Sequence, residues 1–299
     1  MTSSTVSAAA AGTWLLGDLK VNRMGFGAMR LTGSVPFHRG IPGDRGQAMR
    51  VVRRAVELGV NHIDTAAFYF SRLRSANELI NSALAPYPND LVIATKVGPA
   101  RDASGEWTTP ARPDQLRGQV EENLRQLGRD HLDLVNLRIM GQDSISEHFG
   151  ALAELRDAGL VRQLGISNAR PEHLSQALAI APVVCVQNRH SIDEPSGERM
   201  LRTCAVHGIA FVPFFSVAGQ GHEAGAVHAE HDNVCAVART HGVSPTQIRL
   251  AWTLQQGDHV LAIPGTGNPE HLVDNVAAGA LRLTKRELQL LDSISHDGS

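Results

Sequence analysis

The sequence predicts an α/β fold, a (β/α)8 TIM barrel with an N-terminal extension and extra C-terminal helices, on three observations. Eight short apolar, β-branched runs alternate with runs of helical period across the 299 residues, a length that α/β barrels reach within one domain. Alternation of this kind implies parallel strands joined by crossover helices. No Gly-x-Gly-x-x-Gly turn follows the first strand, because Gly25-Phe26-Gly27 lacks the third glycine. An open doubly wound sheet is therefore the weaker reading. No linker of Pro, Gly and Ser cuts the chain. One barrel domain is expected over 13–299, after a flexible tail over 1–12 that is rich in Ser, Thr and Ala.

The strands are expected at 24–28, 61–65, 91–96, 132–138, 161–167, 183–187, 209–213 and 259–264. Helices are expected between them near 44–58, 74–84, 112–127, 146–158, 171–180, 197–207, 230–241 and 269–278. The first helix places Ala48, Val51, Val52, Ala55 and Leu58 on one stripe. The third does the same with Leu116, Val120, Leu124 and Leu127 and closes on Gly128, which suits a left-handed cap. An additional helix near 245–256 opens on Ser244, Pro245 and Gln247, a capping box with proline at the first helical position. Another lies near 284–295.

Composition narrows the function. Lys and Arg total 28 against 30 for Asp and Glu, so no basic excess exists to neutralise a phosphate backbone and nucleic-acid binding is not expected. No apolar run reaches the length of about 18 residues that a membrane span needs. The N-terminus lacks the basic start of a secretory signal. The three cysteines, Cys185, Cys204 and Cys235, lack metal or redox spacing, which fits a reducing cytoplasm.

Chemistry in such a barrel sits at the C-terminal strand ends. The second strand ends in Asp64 with Tyr69 five residues on, the third in Lys96, the fourth in Asn136 and Arg138, the fifth in Ser167-Asn168 and the sixth in Gln187-Asn188. A lysine ending a buried strand needs a partner, which Asp64 can be. A tyrosine beside that lysine would have its pKa lowered and could donate a proton near neutral pH. Spacing alone fits equally well a structural Asp–Lys pair with an unrelated loop tyrosine.

These residues resemble the aldo-keto reductase family. Gly59-Val60-Asn61-His62-Ile63-Asp64-Thr65-Ala66 with Tyr69, Ile93-Ala94-Thr95-Lys96, Gly165-Ile166-Ser167-Asn168, and Ile263-Pro264-Gly265-Thr266 with His271-Leu272 and Asp274-Asn275 stand in the family's order. The resemblance covers nearly the whole chain. It implies a (β/α)8 enzyme binding NADPH, with NADH as the alternative, and reducing an aldehyde or ketone. By it Tyr69 is the general acid, Lys96 tunes it and Asp64 holds Lys96. Ser167, Asn168 and Gln187 would hold the nicotinamide carboxamide, and Phe211 would stack on the ring. Gly27, Ala28 and Met29 would meet the cofactor at the first strand end, together with Asp64. Pro213, Phe214 and Phe215 open the loop over the pyrophosphate. Gly265, Thr266, His271, Asp274 and Asn275 would surround the adenosine end.

Two positions depart from the family pattern. Arg138 stands where the family's fourth catalytic residue, a histidine, is usual, as in a smaller branch similar to pyridoxal reductases. Arginine donates but does not trade protons near neutrality. Gly265 and His271 replace the Lys and Arg that many members carry, which weakens a 2′-phosphate clamp. Phe37, Trp107 and His190 are candidates for the substrate pocket, with surface or packing roles as alternatives. The histidines at 222, 228 and 231 lack zinc spacing, and no metal is expected. The second functional reading is a cofactor-binding regulatory subunit of the channel β-subunit type, with slow chemistry. A monomer acting on a small-molecule carbonyl is the expected state, with an oligomer still open.

Overall fold

In the computed structural model of the chain, residues 6–33, 43–102, 104, 106–217 and 230–296 are described. The N-terminal segment departs from the expected flexible tail. Residues Ala8–Ala11 form a 3-10 turn capped by the Ser7 side chain, with Ala8 and Ala11 buried. The Ala8 N–H donates to the Leu58 carbonyl at 2.8 Å. Small alanines at this spacing let the turn lie flat against the barrel, so order extends through 6–12.

Two strands that sequence periodicity does not reveal come next. β1 (Thr13–Leu16) and β2 (Leu19–Asn22) pair antiparallel around Gly17, whose φ of +65° suits a tight hairpin turn. Leu16, Leu19 and Val21 pack with Val92, Ala94, Leu134, Cys185, Ala210, Val212 and Leu261, which are the inward residues of the barrel strands. The hairpin thus plugs the N-terminal end of the barrel and leaves the opposite end for chemistry.

Seven strands then run parallel in chain order, β3 (Phe26–Gly27), β4 (His62–Asp64), β5 (Val92–Val97), β6 (Leu132–Arg138), β7 (Val161–Ser167), β8 (Cys185–Gln187) and β9 (Ala210–Phe211). The expected eighth strand closes the ring through a few bonds. Phe211 N–H donates to His259 O at 3.0 Å and Leu261 N–H to Phe211 O at 3.0 Å, while Ala262 N–H donates to Arg23 O at 2.9 Å and Gly25 N–H to Ala262 O at 2.8 Å.

A helix follows each of β3 to β8, namely α1 (Arg45–Glu57), α2 (Ala76–Leu84), α3 (Leu116–Leu127), α4 (Ser146–Asp157), α5 (Pro171–Leu178) and α6 (Glu198–His207). The remaining helices are α7 (Asp232–His241), α8 (Pro245–Leu254), α9 (Pro269–Ala277) and α10 (Lys285–Asp292). The capping box of α8 forms, Ser244 and Gln247 each accepting from the other's N–H. The outward residues of the strands and the inner faces of the helices make the main core. A smaller core under α7, α8 and α10 includes Val234, Ile248, Trp252 and Leu291.

Candidate active site

Strand parity places Asp64, Lys96, Arg138 and Gln187 on the inner side at the C-terminal ends of β4, β5, β6 and β8, and there they meet. With Tyr69 they line one cavity of about 280 Å³, walled by Phe68, Trp107, Phe214 and Phe215. Lys96 Nζ donates to Asp64 Oδ1 at 2.6 Å and to the Thr65 carbonyl at 3.0 Å. Gln187 Nε2 donates to Asp64 Oδ2 at 2.5 Å. The Asp64–Lys96 pair is buried, and its remaining hydrogen bonds are what offset the desolvation of two charges. Lys96 Nζ lies 5.0 Å from the centre of the Tyr69 ring.

Burial is the strongest influence on the Lys96 ammonium and pushes its pKa down, but Asp64 and Tyr69 together outweigh it and the pKa is raised. For Tyr69 burial again dominates and raises the phenol, Asp64 adding to the rise while Lys96 and Arg138 oppose it. The expected lowering of the tyrosine pKa is therefore corrected. Lys96 acts in the expected direction, but desolvation of a phenolate in this cavity is larger. The phenol keeps its proton throughout the neutral range, so it is present as a donor.

Arg138 reaches the same cavity. One guanidinium N–H donates to the Ser167 hydroxyl at 3.3 Å, and the guanidinium carbon lies 4.9 Å from the centre of the Phe214 ring. These two contacts hold the guanidinium at the wall of the cavity that Tyr69 also lines.

Of the residues assigned to cofactor binding, Gly27, Met29, Asp64, Gln187, Pro213, Phe214, Phe215 and Gly265 line the cavity. Ala28 is fully buried beneath it. Ser167 is buried and engaged by Arg138. Asn168 adopts a left-handed φ of 58° and turns its side-chain amide to the Ile139 carbonyl at 2.9 Å. Phe211 is a correction. Its neighbours Ala210 and Val212 point into the barrel, so Phe211 points outward, fully buried in the main core. Phe214, three residues on, presents the flat apolar face instead. Thr266 is buried and accepts from the Asn268 N–H. His271, Asp274 and Asn275 ride on α9 outside the cavity.

Trp107 lines the cavity. Its ring lies under the Arg101 guanidinium, 3.4 Å from the ring centre, and packs edge-on to Phe68. His190 is a second correction. It is buried, stacked on Trp252 with centroids 5.4 Å apart and edge-on to Phe211, so it belongs to the core and not to the pocket. Burial pushes its pKa down. Phe37 lies outside the described residues, as do 222 and 228. His231 caps α7 by accepting from the Asn233 N–H.

Phe68, Met140 and Arg189 line the cavity without having been singled out by sequence. Arg189 pairs with Glu194 at 3.4 Å and lies over the Phe215 ring. Its position two residues beyond Gln187 on the same strand end was the available signal.

One feature of the cavity suits the amide of a nicotinamide nucleotide. Gln187 Oε1 is buried with no partner among the described residues, an acceptor ready for an amide N–H. Gly27 and Gly265 pack as bare backbone, since a Cβ on either would lie 2.6 Å from the Ile263 carbonyl oxygen or 2.5 Å from that of Gly27. A side chain at either place would collide with the facing backbone, so the two glycines let these segments close on each other at the cavity rim.

Comparison with known proteins agrees with this geometry. Residues 23–296 match the family described as Aldo/keto reductase family. The chain is 41% identical to pyridoxine 4-dehydrogenase of Escherichia coli (strain K12), over 95% of this chain and 99% of that protein. It is 36% identical to an uncharacterized oxidoreductase of Schizosaccharomyces pombe, over 97% of this chain and 92% of that protein. Among solved structures it is similar to the thermostable aldo-keto reductase Tm1743 in complex with the inhibitor epalrestat. That match has a TM-score of 0.77 and 28% identity, and covers 94% of this chain and 99% of that one. It is also similar to an aldo/keto reductase from Klebsiella pneumoniae in complex with NADP and acetate, with a TM-score of 0.74, 26% identity and 91% of each chain covered. A closed parallel barrel, an Asp–Lys–Tyr constellation at its mouth and a match over nearly the whole length together make this chain a member of the aldo/keto reductase family.

Proposed function

We propose that the protein reduces the carbonyl group of a small aldehyde or ketone with NADPH, NADH being the weaker candidate, and that an aromatic aldehyde of the pyridoxal type is its substrate. The observation that carries this reading is the convergence of Asp64, Lys96 and Tyr69, from three separate segments, in one cavity. NADPH, when bound, supplies the reducing equivalent that the carbonyl carbon takes up. Gln187, with Gly27, Gly265 and the Phe214 ring beside it in the lining, would hold its nicotinamide end. Tyr69 gives its proton to the carbonyl oxygen as negative charge develops there. The Lys96 ammonium stabilises the phenolate left behind, and Asp64 keeps that ammonium in place. Arg138 donates a charge-assisted hydrogen bond to the same oxygen.

Support for an aromatic aldehyde comes from the cavity walls, Phe68, Trp107, Phe214 and Phe215, which offer flat apolar faces, and from the dehydrogenase relative acting on pyridoxine by its name. The test is loss of NADPH absorbance with pyridoxal, a benzaldehyde, a sugar-like ketone and a xenobiotic ketone. Pyridoxal should give the highest kcat/KM. Absence of turnover with every carbonyl and either cofactor would contradict the reading.

A further inference from the structure

Behind the Asp64–Lys96 pair lies a buried polar network that no step of the reaction uses. The Thr65 hydroxyl donates to Asn77 Oδ1 at 2.7 Å. Asn77 Nδ2 donates to Asn123 Oδ1 and to Gln126 Oε1, both at 3.0 Å. The Thr95 hydroxyl donates to Asn123 Oδ1 at 2.6 Å. Asn123 Nδ2 closes on the Gln119 carbonyl at 2.8 Å, and Gln119 Oε1 accepts from the Gly98 N–H at 2.7 Å. Thr65, Asn77, Thr95 and Asn123 are all fully buried.

The network runs from two helices to two strand ends. Asn77 stands on α2 and Asn123 on α3, among buried apolar residues of both helices and beside Gln126 and Ser75. Thr65 directly follows Asp64, Thr95 directly precedes Lys96, and Gly98 lies two residues beyond it. The first turn of α2 also holds the tyrosine backbone, since the Ala76 N–H donates to the Tyr69 carbonyl at 2.8 Å. Apolar residues of matching shape would serve packing here about as well as paired amides and hydroxyls. Hydrogen bonds add what apolar contact lacks, which is a fixed direction and spacing.

We propose that Asn77 and Asn123, acting through Thr65 and Thr95, are positioning residues that fix the Lys96 ammonium against Tyr69. An ammonium has three donors. Lys96 gives one to Asp64 and one to the Thr65 carbonyl, which leaves the third for Tyr69. The Thr65 carbonyl therefore aims the ammonium, and the Thr65 hydroxyl, anchored on Asn77, fixes that peptide. The charged groups acting on Tyr69 are Lys96 on β5, Asp64 on β4 and Arg138 at the end of β6. Only the first two are held by this network.

The inference rests on the reading of Tyr69 as proton donor, so its test needs one measurement that does not depend on turnover. Thr65→Val is isosteric and removes only the hydroxyl that joins β4 to Asn77. Thr95→Val does the same on the β5 side. Thr65→Ser keeps the donor. Displacement of the ammonium should lower kcat for carbonyl reduction by roughly 10–100-fold in either valine variant. KM and NADPH affinity should stay within about twofold, and Thr65→Ser should recover most of the loss. The chain has two tyrosines, so carbon-13 labelling of the ring gives two resonances. In Thr65→Val the Tyr69 resonance should titrate at higher pH than in the wild type. Tyr87, pushed up to about 12 chiefly by burial, should be unmoved. Wild-type kcat and an unmoved Tyr69 titration in both valine variants would overturn the proposal, as would equal shifts of both tyrosines or failure of serine to rescue. If the wild type turns over no carbonyl, the reductase reading fails by itself, and the Tyr69 titration still decides whether the network positions Lys96.

Discussion

The two sides of the barrel mouth differ in how completely their polar groups are bonded. On the β4–β5 side, Asp64, Thr65, Thr95 and Lys96 are bonded to one another or to α2 and α3. On the β6–β8 side, Gln187 Oε1 and both amide atoms of Asn136, level with Lys96 in the strand register, are buried with no partner among the described residues. A buried polar atom left without a partner costs about 1–3 kcal/mol. The contrast separates two tasks. On the proposed function, the groups assigned to the proton step are set in place by the fold, whereas Gln187, which lines the cavity, keeps an acceptor in reserve for the cofactor.

The largest effect should come from breaking the bonded side. Lys96→Met leaves the Asp64 carboxylate buried without its cation and should cost about 3–5 kcal/mol in urea unfolding. Adding Asp64→Leu should recover much of that loss. A single variant as stable as the wild type would show that the pair is not desolvated.

Arg138 tests the open side. A charge-assisted hydrogen bond to the substrate oxygen is worth about 1.5–3 kcal/mol, so Arg138→Ala should lower kcat/KM by about 10–150-fold with NADPH affinity nearly intact. Arg138→His should restore part of the activity and introduce a pH dependence near a histidine pKa that the wild type lacks. Loss of melting temperature and cofactor binding in step with activity would make Arg138 a strut.

His62, two residues before Asp64 on β4, bounds the contrast to the strand ends, because both its ring nitrogens are buried with no partner among the described residues. This residue can be tested through pH. Burial holds its pKa down to about 4, below the ordinary histidine value of 6.5. Between those values the unfolded chain binds the proton and the folded one does not. Its contribution is thus complete above about pH 6.5 and is lost as pH falls toward 4, by about 2 kcal/mol at pH 5. Urea unfolding at pH 7 and pH 5 should show that loss, and His62→Leu should show a smaller one.

The smallest effect belongs to Gln187. Gln187→Leu removes the reserved acceptor together with one donor to Asp64. NADPH affinity should weaken about fivefold, the equivalent of one ordinary hydrogen bond at about 1 kcal/mol. Unaltered affinity by fluorescence quenching would remove Gln187 from the nicotinamide end.

The barrel was legible in the sequence because strands and helices alternate with matching period and cap. The hairpin over Thr13–Asn22 was not, because its strands are only four residues long, although Leu16-Gly17-Asp18-Leu19 carries a turn signal. Asp64, Tyr69, Lys96 and Arg138 were legible from strand ends and order. The stacking role for Phe211 came from the family resemblance, whereas here Ala210 and Val212 pack inward on the hairpin and turn Phe211 to the outer core. His190 was misplaced because its partner Trp252 comes from α8, which adjacency in sequence does not reveal. The Thr65–Asn77–Asn123–Thr95 network left no local mark for the same reason. Its members lie in different elements and carry no common spacing.

The central claim is that Tyr69 supplies the proton in carbonyl reduction by this site. Tyr69→Phe removes one hydroxyl and leaves the ring, the Lys96–Asp64 pair and the cofactor contacts in place. Reduction of the best aldehyde should fall by about 10²–10⁴-fold, while NADPH affinity, followed by fluorescence quenching on the same sample, stays that of the wild type. A Tyr69→Phe enzyme that reduces the aldehyde at the wild-type rate would contradict the account and place the acid elsewhere.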